Sequence, residues 1–315
     1  MKITAVDLFA GCGGLSLGLS KANIEVVAAY EKWAPALGVY KRNFSHPVFA
    51  LDLSEVDEAV AHIKQFKPNL IAGGPPCQDF SSAGKRDENG GRADLTLSFA
   101  EIVVNVSPDW FLMENVERIN KSKIYLEAKE NLKNANYGLT EMVLDASLCN
   151  VPQKRKRMFL IGKLNEQDDF LKSTLKSKLS DKSLTLKQYF GSELDATFYY
   201  RHARSYSRRA IFSIDEPSPT IRGVNRPIPP NYRFHEGDVT NDLKQVRPLS
   251  AFERSRIQTF PKEFRWPVTN KTIHEQLIGN AVPVNLGKFV GEAIVSYIEQ
   301  HVTNANQILT GIETL

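Results

Sequence analysis

The stretch DLFAGCGGLSLGL, from Asp7 to Leu19, decides the fold of this chain. It follows an apolar run that begins at Ile3, and its glycines stand where a strand would turn into a helix. Glycine lets the backbone approach a ligand closely, and the first turn of a helix presents unpaired N–H groups. The glycine spacing departs from the GxGxxG dinucleotide fingerprint. A tight turn without a ligand and a ligand-binding turn therefore both stay open.

Beyond this turn, short apolar runs alternate with amphipathic segments as far as Gly162. The alternation is typical of a parallel sheet whose two faces are covered by helices. We therefore predict an α/β fold with a mostly parallel sheet. The predicted strands are ITAVDLF, EVVAAYE, NLIAGGP, PDWFLMEN and RMFLIGK, and the predicted helices lie near residues 16–22, 34–43, 55–66, 97–105 and 125–136.

The pattern changes after Gly162, where the chain becomes polar and turn-rich and prolines cluster between positions 217 and 230. A helical pattern returns over residues 248–259, and residues 274–300 read as a turn followed by one long helix. The length of 315 residues suits one large domain with a smaller one. We predict one large domain formed by residues 1–162 plus 271–315, and a second, smaller domain over residues 163–270.

Composition excludes several classes of protein. No apolar segment is long enough to span a bilayer, and the N-terminus lacks the pattern of a signal peptide, so we expect a cytoplasmic protein without a membrane partner. The cysteines, Cys12, Cys77 and Cys149, are far apart and form no CxxC pair, so we expect neither disulfides nor a metal site. The net charge of +4 permits a polyanionic partner.

Two acidic residues follow predicted strands. Glu31 ends the second apolar run and Asp52 follows the third, so both should lie at the edge of the sheet where ligands bind. Either acid alone is more often a solvated loop residue. Together with the glycine turn they indicate a cofactor that contains adenosine, because Glu31 could accept ribose hydroxyls and Asp52 the exocyclic amine of adenine.

The motif GGPPCQDFSSAG, residues 73–84, holds Cys77 directly behind a predicted strand. A half-buried structural thiol is the simplest interpretation. Pro75 and Pro76 argue against it, since two prolines fix the backbone more rigidly than packing alone requires. No histidine lies close in sequence, so nothing supports a Cys–His hydrolase.

Two further motifs carry charge at strand ends. Glu114 in FLMENV should be partly desolvated, which would raise the pKa of its carboxyl group and let it donate a hydrogen bond, although pairing with a basic residue is the alternative. In QKRKR, Arg155 and Arg157 alternate and therefore share one face of a strand. A solvated face or a nucleic-acid patch is the simpler interpretation of such a basic run.

Taken in order, these motifs resemble those of the DNA (cytosine-5) methyltransferases. The resemblance extends from Asp7 to about Gly287 and rests on DLFAGCGGLSLGL, GGPPCQDFSSAG, MENV, QKRKR, RPLSAFERSRIQTFP and GNAVPVNLG. It implies a Rossmann-like methyltransferase fold, S-adenosylmethionine as cofactor, S-adenosylhomocysteine as product, and cytosine in double-stranded DNA as substrate. The region about 165–245 corresponds to the variable target-recognition part of that family.

The resemblance also implies the roles of four catalytic residues. Cys77 would add to carbon 6 of the cytosine, so that carbon 5 attacks the methyl group. Glu114 would bind ring nitrogen 3 and the exocyclic amine, and Arg157 the ring's carbonyl oxygen. Arg155 would either support the site or reach a backbone phosphate. The target base must first be flipped out of the duplex.

The positions matched to the cofactor site include one departure from the family pattern. Many members carry a bulky apolar residue directly after the acid that binds the ribose, whereas Lys32 stands here and Trp33 follows it. Which of the two covers the adenine is left open. The positions are Phe9, Gly11, Gly14, Glu31, Asp52, Pro76, Leu95, Asn280 and Ala281.

Three stretches are candidates for contact with DNA. The loop SSAGKRDENGGRADL would close over the substrate, YYRHARSYSRR would mainly hold phosphates, and TIRGVNRP, which includes Thr220 and Asn225, is the better candidate for reading bases. The residues are Ser81, Lys85, Arg86 and Arg92 in the first, Arg201, Arg204, Arg208 and Arg209 in the second, and Arg222, Gly223 and Arg226 in the third.

Two other functions stay open beside this one. A transfer-RNA methyltransferase of the same family has similar motifs, but the long region before RPLS favours DNA. A catalytically silent DNA-binding regulator would not need Cys77, Glu114 and Arg157 together. The compact arrangement suggests, by resemblance, a bacterial modification enzyme of a restriction-modification system. We expect it to be a monomer, and a functional pairing with a restriction endonuclease, without a stable complex, is left open.

Overall fold

The computed structural model describes residues 2–76, 95–203, 205 and 207–312, with the backbone alone from residue 302 onward. The strands are β1 Ile3–Leu8, β2 Ile24–Tyr30, β3 Val48–Phe49, β4 Leu70–Gly73, β5 Trp110–Val116, β6 Tyr137–Asp145, β7 Gln153–Lys154, β8 Lys156–Leu164, β9 Phe198–Tyr200, β10 Ile211–Ser213, β11 Ser218–Pro219 and β12 Val246–Pro248. The helices are α1 Gly14–Lys21, α2 Ala34–Asn43, α3 Val56–Ile63, α4 Leu95–Val106, α5 Lys123–Asn134, α6 Lys172–Ser177, α7 Leu186–Phe190, α8 Ala251–Ile257, α9 Lys271–Asn280 and α10 Val284–Ile312.

The described residues form a seven-stranded sheet in the order β3-β2-β1-β4-β5-β8-β6. The first five strands of this order, β3, β2, β1, β4 and β5, pair in parallel with one another. Strand β8 runs antiparallel to both of its neighbours, β5 and β6. All residues of β4 are buried, as expected for a strand with helices on both faces. The α/β fold with a mostly parallel sheet is therefore confirmed.

The chain changes direction across the sheet between β1 and β4. From β1 it proceeds outward through β2 and β3, and then returns to place β4 on the other side of β1. In open α/β sheets a ligand crevice forms at such a switch point, outside the carboxyl ends of the strands. This topology brings the glycine turn after β1 next to Gly74 and Pro75, which follow β4.

Helices cover both faces of this sheet. On one face α1 packs against α10 through Leu15, Leu19 and Val290. Gly18 lets the two helices approach closely, since a Cβ atom at this position would lie only 2.5 Å from the carbonyl oxygen of Val284. On the other face α4 and α5 bury a second core, to which Phe99 contributes. Within the described part of the chain, no helix is both long and apolar enough to cross a membrane.

A second, smaller arrangement of strands occupies the region after β8. Strands β10, β9 and β12 form a three-stranded sheet, and β11 pairs in parallel with β7. Its core includes Ile221 and also Ile278 of α9. Leu171 and Leu175, next to and in α6, are buried in the core of the large sheet. The domain boundaries predicted from the sequence stay a prediction.

One sequence prediction about this region was wrong. Residues from His274 onward were expected to form a turn before the last helix, but residues 271–280 form the helix α9. The side chain of Asn270 caps that helix by accepting a hydrogen bond from the N–H of Ile273. The turn comes later, at residues 281–283, and it includes Pro283.

Candidate active site

A cavity of about 700 Å³ opens at the carboxyl ends of the central strands. Its walls come from the glycine turn, from the residues that follow β2 and β4, from the end of β5, and from the segment between α9 and α10. The predicted site residues among its lining are Phe9, Gly11, Gly14, Glu31, Asp52, Pro76, Leu95, Glu114, Arg155, Arg157, Asn280 and Ala281. The fold thus gathers at one cavity residues that lie far apart in the sequence.

The glycine turn forms one wall with its backbone. Gly11 has a φ of 57°, and a Cβ atom there would meet nothing within 4 Å, so a side chain would project into open space. Gly14 starts α1 in close contact with the opposite wall, because its Cβ atom would lie 2.1 Å from the carbonyl oxygen of Val282. Glycine at both positions keeps this wall thin and close to any ligand.

Glu31 is held by two backbone N–H groups. Its Oε2 accepts from the N–H of Gly11 at 2.7 Å, and its Oε1 accepts from the N–H of Trp33 at 2.6 Å. Burial raises the pKa of the Glu31 carboxyl group, and these two hydrogen bonds oppose the rise. The carboxylate is therefore fixed in orientation at the mouth of the glycine turn.

Asp52 binds Lys32, one of the two residues that the sequence left open as a cover for the adenine. Lys32 Nζ contacts Asp52 Oδ2, and Ser54 donates to Asp52 Oδ1 through its hydroxyl group at 2.8 Å. The hydrogen bonds from Lys32 and Ser54 lower the pKa of Asp52 to about 2. Trp33 also lines the cavity and packs against the apolar cluster that contains Phe264. Lys32 thus holds Asp52, while Trp33 forms part of the apolar wall.

Glu114 and Arg157 form a buried ion pair in the wall of the cavity. Arg157 Nε lies 2.9 Å from Glu114 Oε1, and the two side chains are 15% and 10% exposed. The pairing of β5 with β8 brings them together. Burial raises the pKa of the Glu114 carboxyl group, and the positive charges of Arg157 and Arg155 oppose the rise. The alternative interpretation of Glu114, pairing with a basic residue, describes the geometry observed.

Arg155 is buried and bonds only to backbone oxygens in the contacts described. Its guanidinium donates to the carbonyl oxygens of Ile221 at 3.0 Å, Gly279 at 3.1 Å and Ala281 at 3.2 Å. The side chain does not lie at the surface, where a DNA phosphate would be, since the residue is 2% exposed. Of the two roles predicted for Arg155, the geometry fits support of the site and does not fit contact with phosphate.

Asn115 is a site residue whose role was not predicted from the sequence. Its Nδ2 donates to the carbonyl oxygen of Pro75 at 2.9 Å, and its Oδ1 accepts from the N–H of Val116 at 2.8 Å. The side chain is buried and lines the cavity. Asn115 thereby ties the end of β5 to the proline pair that precedes Cys77. Its position directly after Glu114 in MENV was the available signal.

Asp7 is a second such residue, buried beneath the glycine turn. Ser16 Oγ donates to Asp7 Oδ2, and Ser16 Oγ also lies 2.7 Å from the Tyr40 hydroxyl group, which lies 2.7 Å from Nε2 of His46. Asp7 Oδ1 has no hydrogen-bond partner among the described residues. Burial raises the pKa of Asp7 to about 7. No local sequence pattern indicates this series of hydrogen bonds, because its members lie in β1, α1, α2 and the loop after α2.

The candidate DNA-contacting residues differ in exposure, because some are exposed and others bind groups of the protein itself. Arg208 and Arg226 are exposed. Arg209 pairs with Glu216 and stacks on Phe212, and Arg201 and Arg222 each donate to a backbone oxygen of the smaller sheet region. Gly223 packs against α9, with its ideal Cβ position 3.1 Å from the Cα atom of Gln276. Cys77, Ser81, Lys85, Arg86, Arg92 and Arg204 lie outside the described residues.

Comparison with known families identifies the family of this chain. Residues 3–296 match the sequence model of the C-5 cytosine-specific DNA methylases. The chain belongs to this family. It is accordingly a DNA (cytosine-5) methyltransferase. The match covers both the large sheet and the region of the smaller one.

Individual members of the family are similar over nearly the whole chain. The type II methyltransferase M.HindV of Haemophilus influenzae is 59% identical over 293 residues, which are 93% of this methyltransferase and 96% of the relative. The type II methyltransferase M.HgiDI of Herpetosiphon aurantiacus is 55% identical over 94% of this chain and 95% of its own.

The fold of this methyltransferase is also that of a distant solved structure. The Dnmt2 methyltransferase of S. pombe superimposes with a TM-score of 0.69 at 20% identity, covering 95% of this chain and 99% of that one. At this level of identity the likeness concerns the fold alone. It agrees with the methyltransferase type of α/β fold predicted from the motifs.

Proposed function

We propose that this enzyme transfers a methyl group from S-adenosylmethionine to carbon 5 of a cytosine flipped out of duplex DNA, within a specific sequence. One observation supports the proposal above all others. The oriented carboxylate of Glu31 and the buried pair of Glu114 and Arg157 line the same cavity, so a cofactor and a base could meet there.

The residues present fit the proposed cofactor. The open space beside Gly11 accepts a ligand against bare backbone, and the fixed carboxylate of Glu31 can accept the two hydroxyl groups of a ribose. Asp52 is ionised at neutral pH and offers an acceptor for an exocyclic amine. When bound, S-adenosylmethionine supplies an activated methyl group. We propose no metal, and the residues of the chain alone carry the remaining chemistry.

Glu114 would recognise and activate the base. Burial raises the pKa of the Glu114 carboxyl group, which favours its protonated form, and a protonated carboxyl group would donate a hydrogen bond to ring nitrogen 3. Its other oxygen can accept from the exocyclic amine. Arg157 keeps the carboxyl group in place and would contact the ring's carbonyl oxygen. This pairing makes the ring more electrophilic at carbon 6.

Cys77 would be the nucleophile. It follows Pro76, which lines the cavity, and Asn115 holds the carbonyl oxygen of Pro75 in position. A thiolate at Cys77 would add to carbon 6 and make carbon 5 nucleophilic toward the methyl group. Loss of the proton from carbon 5 then expels Cys77 and regenerates the enzyme.

The smaller sheet and its neighbouring loops would recognise the DNA. Exposed arginines such as Arg208 and Arg226 suit contact with phosphates or guanines. We keep the predicted division into a catalytic domain and a target-recognition domain as part of this proposal. By its similarity to type II methyltransferases, the protein would act as a cytoplasmic, monomeric modification enzyme of a restriction-modification system.

The test is methylation of a mixed pool of unmethylated genomic DNA and transfer RNA, followed by bisulfite sequencing of both. We expect protected cytosines at one short DNA motif and none in the RNA. Cys77→Ala should yield no protected cytosine while still binding DNA. Methylation of the RNA alone would instead support a transfer-RNA methyltransferase.

Trapping tests the covalent step separately. Duplex DNA with 5-fluorocytosine at the methylated position should form a stable adduct with the wild-type enzyme, because the proton at carbon 5 is missing. An enzyme active on normal DNA that gave no such adduct would contradict attack at carbon 6. The matched control is Cys149→Ala, which removes a buried thiol from the core that contains Leu15 and Val290. This variant should form the adduct as the wild-type enzyme does.

A further inference from the structure

A buried polar cluster joins the segment of residues 220–227, here called the recognition segment, to the end of α9. Gln153 of β7 is fully buried and uses both ends of its amide. Its Oε1 accepts from the N–H of Ile221 at 2.8 Å, and its Nε2 donates to Oε1 of Gln258 at 2.7 Å. With both ends engaged, the amide holds the recognition segment in one place.

Gln258 continues the connection to α9. Its Nε2 donates to the carbonyl oxygens of Ile278 at 2.7 Å and Ala281 at 3.1 Å. Gln258 is fully buried as well, so no solvent competes for these groups. Ala281 lines the cavity proposed for the cofactor. A chain of two amides therefore runs from the recognition segment to the cavity wall.

Arg155 forms a second, parallel connection between the same two places. A single guanidinium donates to the carbonyl oxygen of Ile221 on one side, and to those of Gly279 and Ala281 on the other. Ile221 thus gives its N–H to Gln153 and its carbonyl oxygen to Arg155. Both polar groups of one peptide residue are tied to the end of α9 through buried side chains.

The recognition segment and the end of α9 are in direct backbone contact. A Cβ atom on Gly279 would lie 2.1 Å from the backbone nitrogen of Gly223. The recognition segment therefore rests directly on the backbone of α9. A displacement of either one must move the other or break buried hydrogen bonds, and leaving buried polar groups unpaired is unfavourable.

We infer that Gln153, Arg155 and Gln258 are positioning residues that couple the recognition segment to the cofactor cavity, so that duplex DNA and the cofactor bind cooperatively. The inference rests on the proposed function, since it takes the cavity to hold the cofactor and the segment to contact DNA. Coupling between two sites is reciprocal, so it can be measured from either ligand. Two neutral amides and one guanidinium carry this coupling, and none of them is proposed to touch the reacting atoms.

The experiment measures the dissociation constant of S-adenosylhomocysteine by calorimetry, alone and with a saturating duplex that carries the methylated motif. For the wild-type enzyme we expect the duplex to tighten binding about ten-fold, a typical coupling. In Gln153→Met this ratio should fall toward one, while the constant without DNA stays near the wild-type value. Thermal unfolding checks that each variant is folded.

A second variant and a matched control sharpen the result. Arg155→Lys keeps the charge but cannot reach both segments with one planar group, so its ratio should also fall. In Thr140→Val a buried side chain of β6 no longer accepts the hydrogen bond from the N–H of Leu171, which measures 3.1 Å and lies outside both the recognition segment and α9, so the ratio should stay at the wild-type value.

The outcomes separate this inference from the proposed function. A wild-type ratio of one, or an unchanged ratio in folded Gln153→Met and Arg155→Lys, would overturn the coupling and leave the enzyme's function intact. An equal fall of the ratio in Thr140→Val would overturn the assignment to this cluster. Failure of the wild-type enzyme to bind S-adenosylhomocysteine at all would refute the proposed cofactor, and the coupling with it.

Discussion

Arg254 and Glu275 form an ion pair inside the protein, with Nη1 of the arginine 2.7 Å from Oε2 of the glutamate. Their side chains are 6% and 1% exposed. The pair joins α8 to α9, and Asn225 donates to Oε1 of Glu275 at 2.9 Å. Charges removed from water need such partners, because the loss of one leaves the other buried and unpaired.

Removal of Arg254 should therefore destabilise the fold strongly. We expect Arg254→Met to lower the free energy of unfolding by about 3–5 kcal/mol, since it leaves the Glu275 carboxylate buried without its cation. Urea unfolding measures the change. The control is Lys172→Met, which breaks an exposed pair with Asp169 and should cost under about 1 kcal/mol. Equal effects of the two substitutions would contradict this account.

The carboxyl group of Glu114 should be essential for catalysis. Glu114→Gln keeps the shape of the side chain but cannot supply the proton, so kcat for methyl transfer should fall by about 10²–10⁴. Glu117→Gln removes an exposed acid just after the same strand and should leave kcat unchanged. Because the proposed role requires a protonated Glu114 and burial raises its pKa, wild-type kcat should decline as the pH rises through that pKa. A Glu114→Gln enzyme with wild-type kcat would rule out this role.

Asn115 should act on rate rather than on cofactor affinity. Asn115→Ala frees the carbonyl oxygen of Pro75, so the chain leading to Cys77 loses its anchor. We expect kcat to fall roughly ten- to a hundred-fold, because a small misplacement of a reacting group is costly. The dissociation constant of S-adenosylhomocysteine should hardly change. Asn105→Ala, which breaks an exposed helical contact, serves as control. Weaker cofactor binding with normal kcat would speak against this role.

Lys32 should support cofactor binding through Asp52. Lys32→Met removes the ammonium group that holds the Asp52 carboxylate and keeps the apolar stem, so the pKa of Asp52 should rise from about 2 toward its ordinary value of 3.8. Loss of an exposed pair typically costs about 0.2–1 kcal/mol, which predicts a small loss of affinity for S-adenosylhomocysteine in calorimetry. Lys2→Met, which breaks the exposed pair with Glu25, should have no effect. Tighter binding by Lys32→Met would show that the lysine competes with the cofactor.

Asp7 should make the ligand-free protein less stable as the pH rises. The ordinary pKa of an aspartate is 3.8, and burial raises that of Asp7 to about 7, so between these values the folded state holds a proton that the unfolded state has released. The stability contributed below pH 4 is lost between pH 4 and 7, by up to about 4 kcal/mol. Wild-type unfolding free energy should therefore decline relative to Asp7→Asn over this range.

Asp168 offers a control of opposite sign for that experiment. Its hydrogen bond from Lys133 lowers the pKa of Asp168, so its contribution is present at neutral pH and is lost as the pH falls. Asp168→Asn should cost most at neutral pH and least in acid. A pH dependence shared by wild type and Asp7→Asn would show that Asp7 does not titrate in this range.

Much of the site could be predicted from local sequence, because each residue concerned stands at the end of a strand. Glycines after β1, acids after β2 and before α3, prolines after β4 and Glu114 near the end of β5 all lie at one edge once the sheet is parallel. Parallel order follows from the alternation of strands and helices alone. The strand β6 was not predicted, because its polar residues weaken the strand pattern.

The sequence by itself determined the α/β class, the catalytic motifs and the family. It could do so because hydrophobic periodicity and short motifs are local properties of the chain. Tertiary structure alone decided that Lys32 holds Asp52, that Asn115 anchors Pro75, and that Arg155 and Gln153 bind the recognition segment to α9. These partners lie between 20 and 126 residues apart. Which buried donor meets which acceptor depends on how distant elements pack, and no local pattern encodes that choice.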